Sequence, residues 1–213
     1  MILRTNIEIV TGFLGCGKTT FINALLENTL VEDELVIIVQ CEKGQNVIDK
    51  RFQIKKEVLI KKLDVTNLIT SGFIEEIIKS NKPHRIIIEH NGSKKLQELI
   101  NIINERKLRH LCKVTDVFNI IDSVTFKVYI KNMGNLLMDG IYNSNLIVLT
   151  NVHKLLSSRI SEIVNALRRY NPEAYILKAN NIKDISSVLI KENILFNGYV
   201  KKFNVLVRNF LRE

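Results

Sequence analysis

Two hydrophobic periods alternate along the chain. Short, nearly unbroken apolar and β-branched runs recur at Glu8–Thr11, Leu35–Gln40, Val58–Leu63, Arg85–Glu89, Val114–Asp122, Leu146–Thr150 and Tyr175–Lys178. Between them, apolar residues fall at helical spacing in Thr19–Leu26, Asn67–Lys79, Ser93–Arg106, Phe126–Asn143 and Ser157–Tyr170. Runs such as Ile86-Ile87-Ile88 lack the alternation of a half-exposed strand, which predicts strands buried on both faces of a parallel sheet. Strand–helix alternation of this kind calls for right-handed crossovers, so the expected fold is α/β, a three-layer, mostly parallel, doubly wound sheet. Turn signals at Asn81-Lys82-Pro83, Asn91-Gly92-Ser93 and Asn171-Pro172 punctuate it. With no repeat, low-complexity linker or shift in composition, residues 1–213 read as a single domain. The tail, 193–213, stays open: Val200–Val207 suits an edge strand and Phe203–Leu211 suits a helix.

One junction between the two periods carries chemistry. Gly12-Phe13-Leu14-Gly15-Cys16-Gly17-Lys18-Thr19 fits G-x-x-x-x-G-K-[ST] and lies between a predicted strand and a predicted helix. Glycines let the backbone wrap a phosphate with its N–H groups inward, and the following helix adds the positive end of its dipole. Gly12, Gly15, Cys16 and Gly17 are therefore expected to cradle a nucleoside triphosphate. Lys18 would reach its terminal phosphates, and Thr19 would ligate Mg²⁺. A second buried strand ends in Glu89, an acid placed to handle that ion directly or through water. Glu89-His90-Asn91-Gly92 has the acid–glycine spacing of a nucleotide switch turn, in which Gly92 offers its N–H to a γ-phosphate. Lys18 and Glu89 are thus the expected catalytic residues. Asp122 is another strand-end acid, ranked lower because solvent-facing strand ends are commonly acidic.

Composition changes this picture little. The formal net charge is +9, from 31 Lys and Arg against 22 Asp and Glu, but the cations are scattered without a dense block. There is no Trp, and no aromatic residues interleave with the basic stretches, so nucleic acid is not an expected partner. No apolar run approaches the ~20 residues of a membrane span, and Glu8 breaks the only candidate leader. Three widely spaced cysteines, Cys16, Cys41 and Cys112, argue for a reducing, cytoplasmic setting rather than a disulfide framework. Cys16 and Cys41 read as small apolar residues, and Cys112 with His110 lacks the partners of a metal site. His90 reads as a solvated turn histidine, the alternative being contact with phosphate, water or a metal.

The stretch Thr11 to Thr20 resembles the phosphate loop of the CobW/HypB/UreG GTPases, especially the CobW branch, with Cys16 where that branch usually has Ala. The resemblance continues in order. Glu42 and Gly44, within Val39 to Asp49, match a switch segment. Glu89-His90-Asn91-Gly92 is similar to the family's Glu-x-x-Gly, Ile120-Ile121-Asp122-Ser123 to its Val-Val-Asp-Ala, and Asn171-Pro172-Glu173-Ala174 to its Asn-Pro-x-Ala. It implies a GTP-hydrolysing, Mg²⁺-dependent protein that delivers metal or cofactor to a client. It adds Thr20 to the nucleotide contacts and Glu42 to the acids near the metal. It also puts Thr150, Asn151 and His153 at the base.

Two departures qualify that inheritance. The family's Cys-x-Cys-Cys has no counterpart, since residues 53–88 contain no cysteine, and no transition-metal site is assigned. Where the family reads Asn/Thr-Lys-x-Asp, this chain reads Thr150-Asn151-Val152-His153, with Lys154 one register late. An Asp accepts two hydrogen bonds from guanine, whereas imidazole accepts one at most, so guanine preference is expected to relax. The expected function is a slow Mg²⁺-dependent GTPase. The alternatives are a nucleotide-gated adaptor and, last, a small-molecule kinase, for which no arginine-rich lid is visible.

Overall fold

The computed structural model describes residues 4–41, 47–64, 68–192 and 198–210. Seven strands, β1 (Thr5–Thr11), β2 (Val36–Gln40), β3 (Val58–Lys62), β4 (Arg85–Glu89), β5 (Cys112–Asp122), β6 (Leu146–Thr150) and β7 (Tyr175–Lys178), form one sheet. Their order is β3-β2-β4-β1-β5-β6-β7, and every pairing is parallel. The helices are α1 (Lys18–Thr29), α2 (Lys50–Gln53), α3 (Ser71–Asn81), α4 (Leu96–Ile103), α5 (Phe126–Tyr142), α6 (Ser157–Tyr170), α7 (Ile185–Lys191) and α8 (Gly198–Phe210). The chain winds outward from β1 in both directions, which opens a crevice at the carboxyl end of β1, where ligands of such sheets bind.

Alternate strand residues supply the two faces. Val10, Ile38, Ile87, Ile120 and Val148 pack with Phe21 and Leu25 of α1 and Ile185 and Leu189 of α7. On the other face, Ile9, Ile37, Ile86 and Ile88 meet α3 and α4, while Ile121, Ile147 and Leu149 meet α5 and α6. This is the α/β three-layer arrangement that unbroken apolar strands require.

Helix starts differ from the periodicity where side chains take over the end groups. Helix α3 begins at Ser71 because the Thr70 side chain accepts a hydrogen bond from Phe73 N at 3.2 Å. Helix α4 begins at Leu96 because Asn91 Oδ1 holds Ser93 in a turn, at 2.9 Å from its N–H. Asp139 Oδ2 of α5 then accepts from the N–H groups of Leu96 and Gln97. The short α2 and α7 were not legible as periodic segments. Residues 198–210 of the tail form a helix and not an edge strand.

At the amino edge of the sheet, Arg85 is only 2% exposed. Its Nη1 donates to Glu8 Oε2 at 3.2 Å and to Thr29 Oγ1 at 2.8 Å, and its Nη2 donates to Glu34 Oε2 at 3.2 Å. Helix α8 closes this network. Lys201 Nζ stands 3.1 Å from Glu34 Oε1, and Arg208 Nη2 donates to Thr5 Oγ1 at 2.9 Å. Burial, reinforced by the Arg85 charge, lowers the Lys201 ammonium to about 8, and burial raises the Glu8 carboxyl despite Arg85. Removing one partner of a buried ionic set leaves the others uncompensated. Arg85→Met is therefore expected to lower the unfolding free energy by about 3–5 kcal/mol in urea melts; a loss within error of zero would show that Glu8 and Glu34 are neutral or rehydrated.

Candidate functional site

The turn from β1 into α1 is shaped by backbone crowding. Gly12 has φ 137°, and a Cβ there would stand 2.3 Å from the Ile120 carbonyl oxygen. Gly92 is confined too, with its Cβ position 2.2 Å from the Gly12 oxygen. The loop, the switch turn and β5 are thus in direct backbone contact, which only glycine permits at these two positions. Gly15 and Gly17 also hold positive φ, 78° and 104°, and Gly17 is the N-cap of α1.

The side chains of the motif turn inward. Lys18 Nζ donates to Gly12 O at 2.8 Å and to Phe13 O at 3.2 Å, so the ammonium rests on the loop's own carbonyls. Thr19 Oγ1 donates to Glu89 Oε1 at 2.6 Å. The second Glu89 oxygen accepts from Gln40 Nε2 at 2.7 Å. Glu89 is 3% exposed, and Lys18, Thr19 and Gln40 are also buried. Thr20 follows on α1, half-buried. Gln40 was missed from the sequence; its signal was its place as the last residue of a buried strand beside β4. Glu42 and Gly44 lie outside the described residues.

Mg²⁺ is a hard cation that favours oxygen ligands and keeps several waters. A hydroxyl and a carboxylate 2.6 Å apart at the foot of α1 fit it. Among the described residues, no group of three or more His, Cys, Asp or Glu would hold a metal alone. Cys16 and Cys112 are buried, Cys41 is half-buried, and burial pushes the Cys112 thiol up to about 11. Among the described residues no helix is long and apolar enough to cross a membrane.

The residues expected at the base form a separate group. Thr150 ends β6, buried, and Asn151 follows with φ 57°. His153 and Lys154 are exposed in a 3₁₀ turn, Val152–Lys154. His153 Nδ1 lies 2.6 Å from Asn180 O, and since a carbonyl only accepts, Nδ1 carries the proton. A neutral imidazole in this tautomer has Nε2 as its single acceptor. Ile182, which follows β7, packs over the cradle, with its Cγ1 2.5 Å from where a Gly17 Cβ would be.

His90 corrects the expectation of a solvated histidine: it is 6% exposed. Its N–H donates to Val10 O at 2.8 Å, and Nδ1 shares a 3.0 Å hydrogen bond with Thr11 Oγ1. Burial, then the charges of Lys18 and Lys94, lower its pKa from 6.5 to about 4. The unfolded chain therefore takes up this proton first as pH falls. The His90 contribution is complete above pH 6.5 and is lost between pH 6.5 and about 4. Stability measured by urea melts across that window should fall less steeply in His90→Gln than in the parent; parallel pH profiles would show that His90 does not titrate in this way.

The profile of the CobW/HypB/UreG nucleotide-binding domain matches residues 6–178. Comparison with curated proteins gives no match. Among solved structures, the Zn(II)-bound YjiA GTPase from E. coli is 16% identical with a TM-score of 0.60, covering 81% of this chain and 57% of its own. HypB from Helicobacter pylori in complex with nickel is 15% identical with a TM-score of 0.55, over 94% of this chain and 89% of its own. The hydrogenase maturation factor HypB from Archaeoglobus fulgidus is 14% identical with a TM-score of 0.55, over 90% and 91%. The chain thus spans little more than half the length of YjiA, and at these identities the likeness is one of fold. The profile match over most of the chain carries the assignment, and the loop geometry agrees with it: this chain belongs to the CobW/HypB/UreG family of nucleotide-binding domains.

Proposed function

We propose that the chain is a slow Mg²⁺-dependent GTPase that serves a protein client in the cytoplasm, with residues 1–213 acting as one nucleotide-binding domain. The observation that carries the reading is the Thr19–Glu89 hydrogen bond. It joins the first turn of α1 to the end of β4, so that a hydroxyl and a carboxylate meet beside the phosphate loop. Catalysis at such a site is positioning and charge stabilisation. Loop amides from Gly12 to Thr20 and the α1 N-terminus bind the phosphates. Lys18 exchanges its bonds to Gly12 O and Phe13 O for phosphate oxygens. Thr19 and Glu89 hold the ion, and Gln40 fixes the second Glu89 oxygen. Bound with the nucleotide, Mg²⁺ supplies positive charge to the phosphate oxygens. Gly92, against Gly12, presents the switch turn to the terminal phosphate. No arginine or water-positioning glutamine is assigned, which sets the turnover slow.

A metal cargo is not part of this reading: YjiA and HypB were seen with zinc and nickel, but residues 53–88 here supply no thiolate. The second reading, a nucleotide-gated adaptor with relaxed base choice, is favoured by the His153 tautomer. Its lone acceptor takes one hydrogen bond from guanine N1 or, equally, from adenine N6.

Lys18→Ala is expected to abolish binding of a fluorescent GTP analogue; parent-like affinity would sink the cradle assignment. Competition by GTP, ATP and XTP with Mg²⁺ should show weak base discrimination, and His153→Asp should shift it toward GTP by at least about tenfold, the scale of one regained hydrogen bond to a charged group. Phosphate release dependent on Mg²⁺ would exclude the pure adaptor, and its absence would exclude the GTPase.

A further inference from the structure

A cavity of about 380 Å³ lies between α3 and α4, on the face of the sheet away from α1. None of residues 12–20, Gln40, Glu89 or Gly92 lines it, so the proposed nucleotide chemistry leaves it unused. One wall is Leu68 to Ser71, at the start of α3, and the other is Lys95, Leu99 and Ile102 of the α4 segment. Cys41 and His90, the residues after β2 and β4, meet it from the sheet. Its volume is within the ~300–1,000 Å³ of small-molecule sites, and its surface is mainly apolar with a few polar groups, as theirs is.

Three features give one end of it a preference for an anion. First, His90 lines the cavity and is 6% exposed. Its Nδ1 is taken by Thr11 Oγ1 at 3.0 Å, whereas Nε2 has no partner among the described residues and is open to the cavity. With Nδ1 accepting from the hydroxyl, the neutral ring carries its proton on Nε2 and presents a donor. Secondly, α3 begins here. The first N–H groups of a helix have no intrahelical acceptor, and Thr70 Oγ1 takes that of Phe73, at 3.2 Å. The N–H groups of Ser71 and Gly72, with the positive end of the α3 dipole, are left for a ligand. Thirdly, Lys94 and Lys95 line the same cavity, and the charge of Lys94 acts on the His90 ring.

Charge changes along the cavity. In a parallel sheet the helix before β4 and the helix after it both run from the carboxyl edge to the amino edge. Ser71 and Lys95 therefore share the carboxyl edge with His90. Ile102 lies further along α4, about 10 Å from Lys95 at a rise of about 1.5 Å per residue, and Glu105 stands beyond it. Between the two ends the walls are Ile69, Leu99 and Ile102. A cation is repelled by the lysines, and the second charge of a dianion meets Glu105. An uncharged chain leaves His90 and the α3 amides unmet. We propose that this cavity binds a linear monocarboxylic acid. Its carboxylate is held by His90 Nε2, the Ser71 and Gly72 N–H groups and Lys95, and its alkyl tail lies along Ile69, Leu99 and Ile102. The site stands on these residues alone and requires neither GTP nor hydrolysis.

The test is titration of the ¹⁵N-labelled full chain, without nucleotide, with octanoate, acetate, 1-octanol and octanedioate. The N–H signals of Ser71, Gly72 and Leu99 and the His90 ring are expected to shift saturably with octanoate. The other three should each bind at least about tenfold more weakly, since acetate lacks the tail, octanol the charged head and octanedioate the neutral far end. Lys95 is exposed, so Lys95→Glu leaves the packing as it is. It should weaken octanoate by at least about tenfold, the scale of a hydrogen bond to a charged group. The proposal is overturned if octanoate gives no saturable shift, if any of the other three binds as tightly, or if Lys95→Glu binds octanoate as the parent does. Shifts at residues 12–20 without shifts at Ser71 and Gly72 would also overturn it, because they would place the acid in the phosphate loop. Because nucleotide is absent throughout, these outcomes are independent of the Lys18→Ala result.

Discussion

Strand β4 is five residues long, Arg-Ile-Ile-Ile-Glu, and it carries a buried charge at each end. Buried charges are tolerated only when paired, so each end fixes its surroundings. At the amino edge Arg85 collects Glu8, Glu34 and Thr29, and through Glu34 it engages Lys201 of α8. At the carboxyl edge Glu89 collects Thr19 and Gln40. Between them Ile86 and Ile88 face one layer and Ile87 the other. A one-residue slip of β4 would exchange these faces and pull Arg85 and Glu89 off their partners, so packing and polar pairing enforce the same register. That register, Val10 opposite Glu89 on one side and Gln40 on the other, brings strand-end acid, loop and α1 to one place.

The sheet was legible because it is a local property of sequence. β4, β6 and β7 match their apolar runs residue for residue, and strands buried on both faces leave little ambiguity in where they end. Helix starts were less legible because they depend on distant partners. Nothing near Leu96 announces that Asp139, more than forty residues later, receives its N–H. The same distinction runs through the site. Lys18, Thr19 and Glu89 were expected from spacing, since a phosphate loop needs its residue types in a fixed order, and the fold does bring Thr19 and Glu89 within a hydrogen bond. Gln40 and the His90–Thr11 bond were not found, because each joins strands far apart in sequence. His90 shows how polarity misleads: a histidine between an acid and Asn-Gly reads as solvent-facing, yet its backbone bond to Val10 carries it under the loop.

The turn from β1 into α1 and the turn after β6 are held in different ways. The cradle is held by interlocked backbone: Gly12 against Ile120, and Gly92 against Gly12, with no space for a Cβ at either. A change there moves β5 and the switch turn together, at a cost in packing. The base-side turn hangs on far less. Asn151 sets its direction with a left-handed conformation, Val152 N donates to Ala179 O at 3.4 Å, and His153 is exposed with its Nδ1 on Asn180 O. A side chain at an exposed turn therefore changes at little cost to stability. What it changes is the acceptor count, two oxygens for a carboxylate and one nitrogen for a neutral imidazole. Interlocked glycine backbone beside an exposed turn means that a new side chain at 153 leaves the loop's packing as it is, whereas a Cβ at Gly12 or Gly92 must displace backbone.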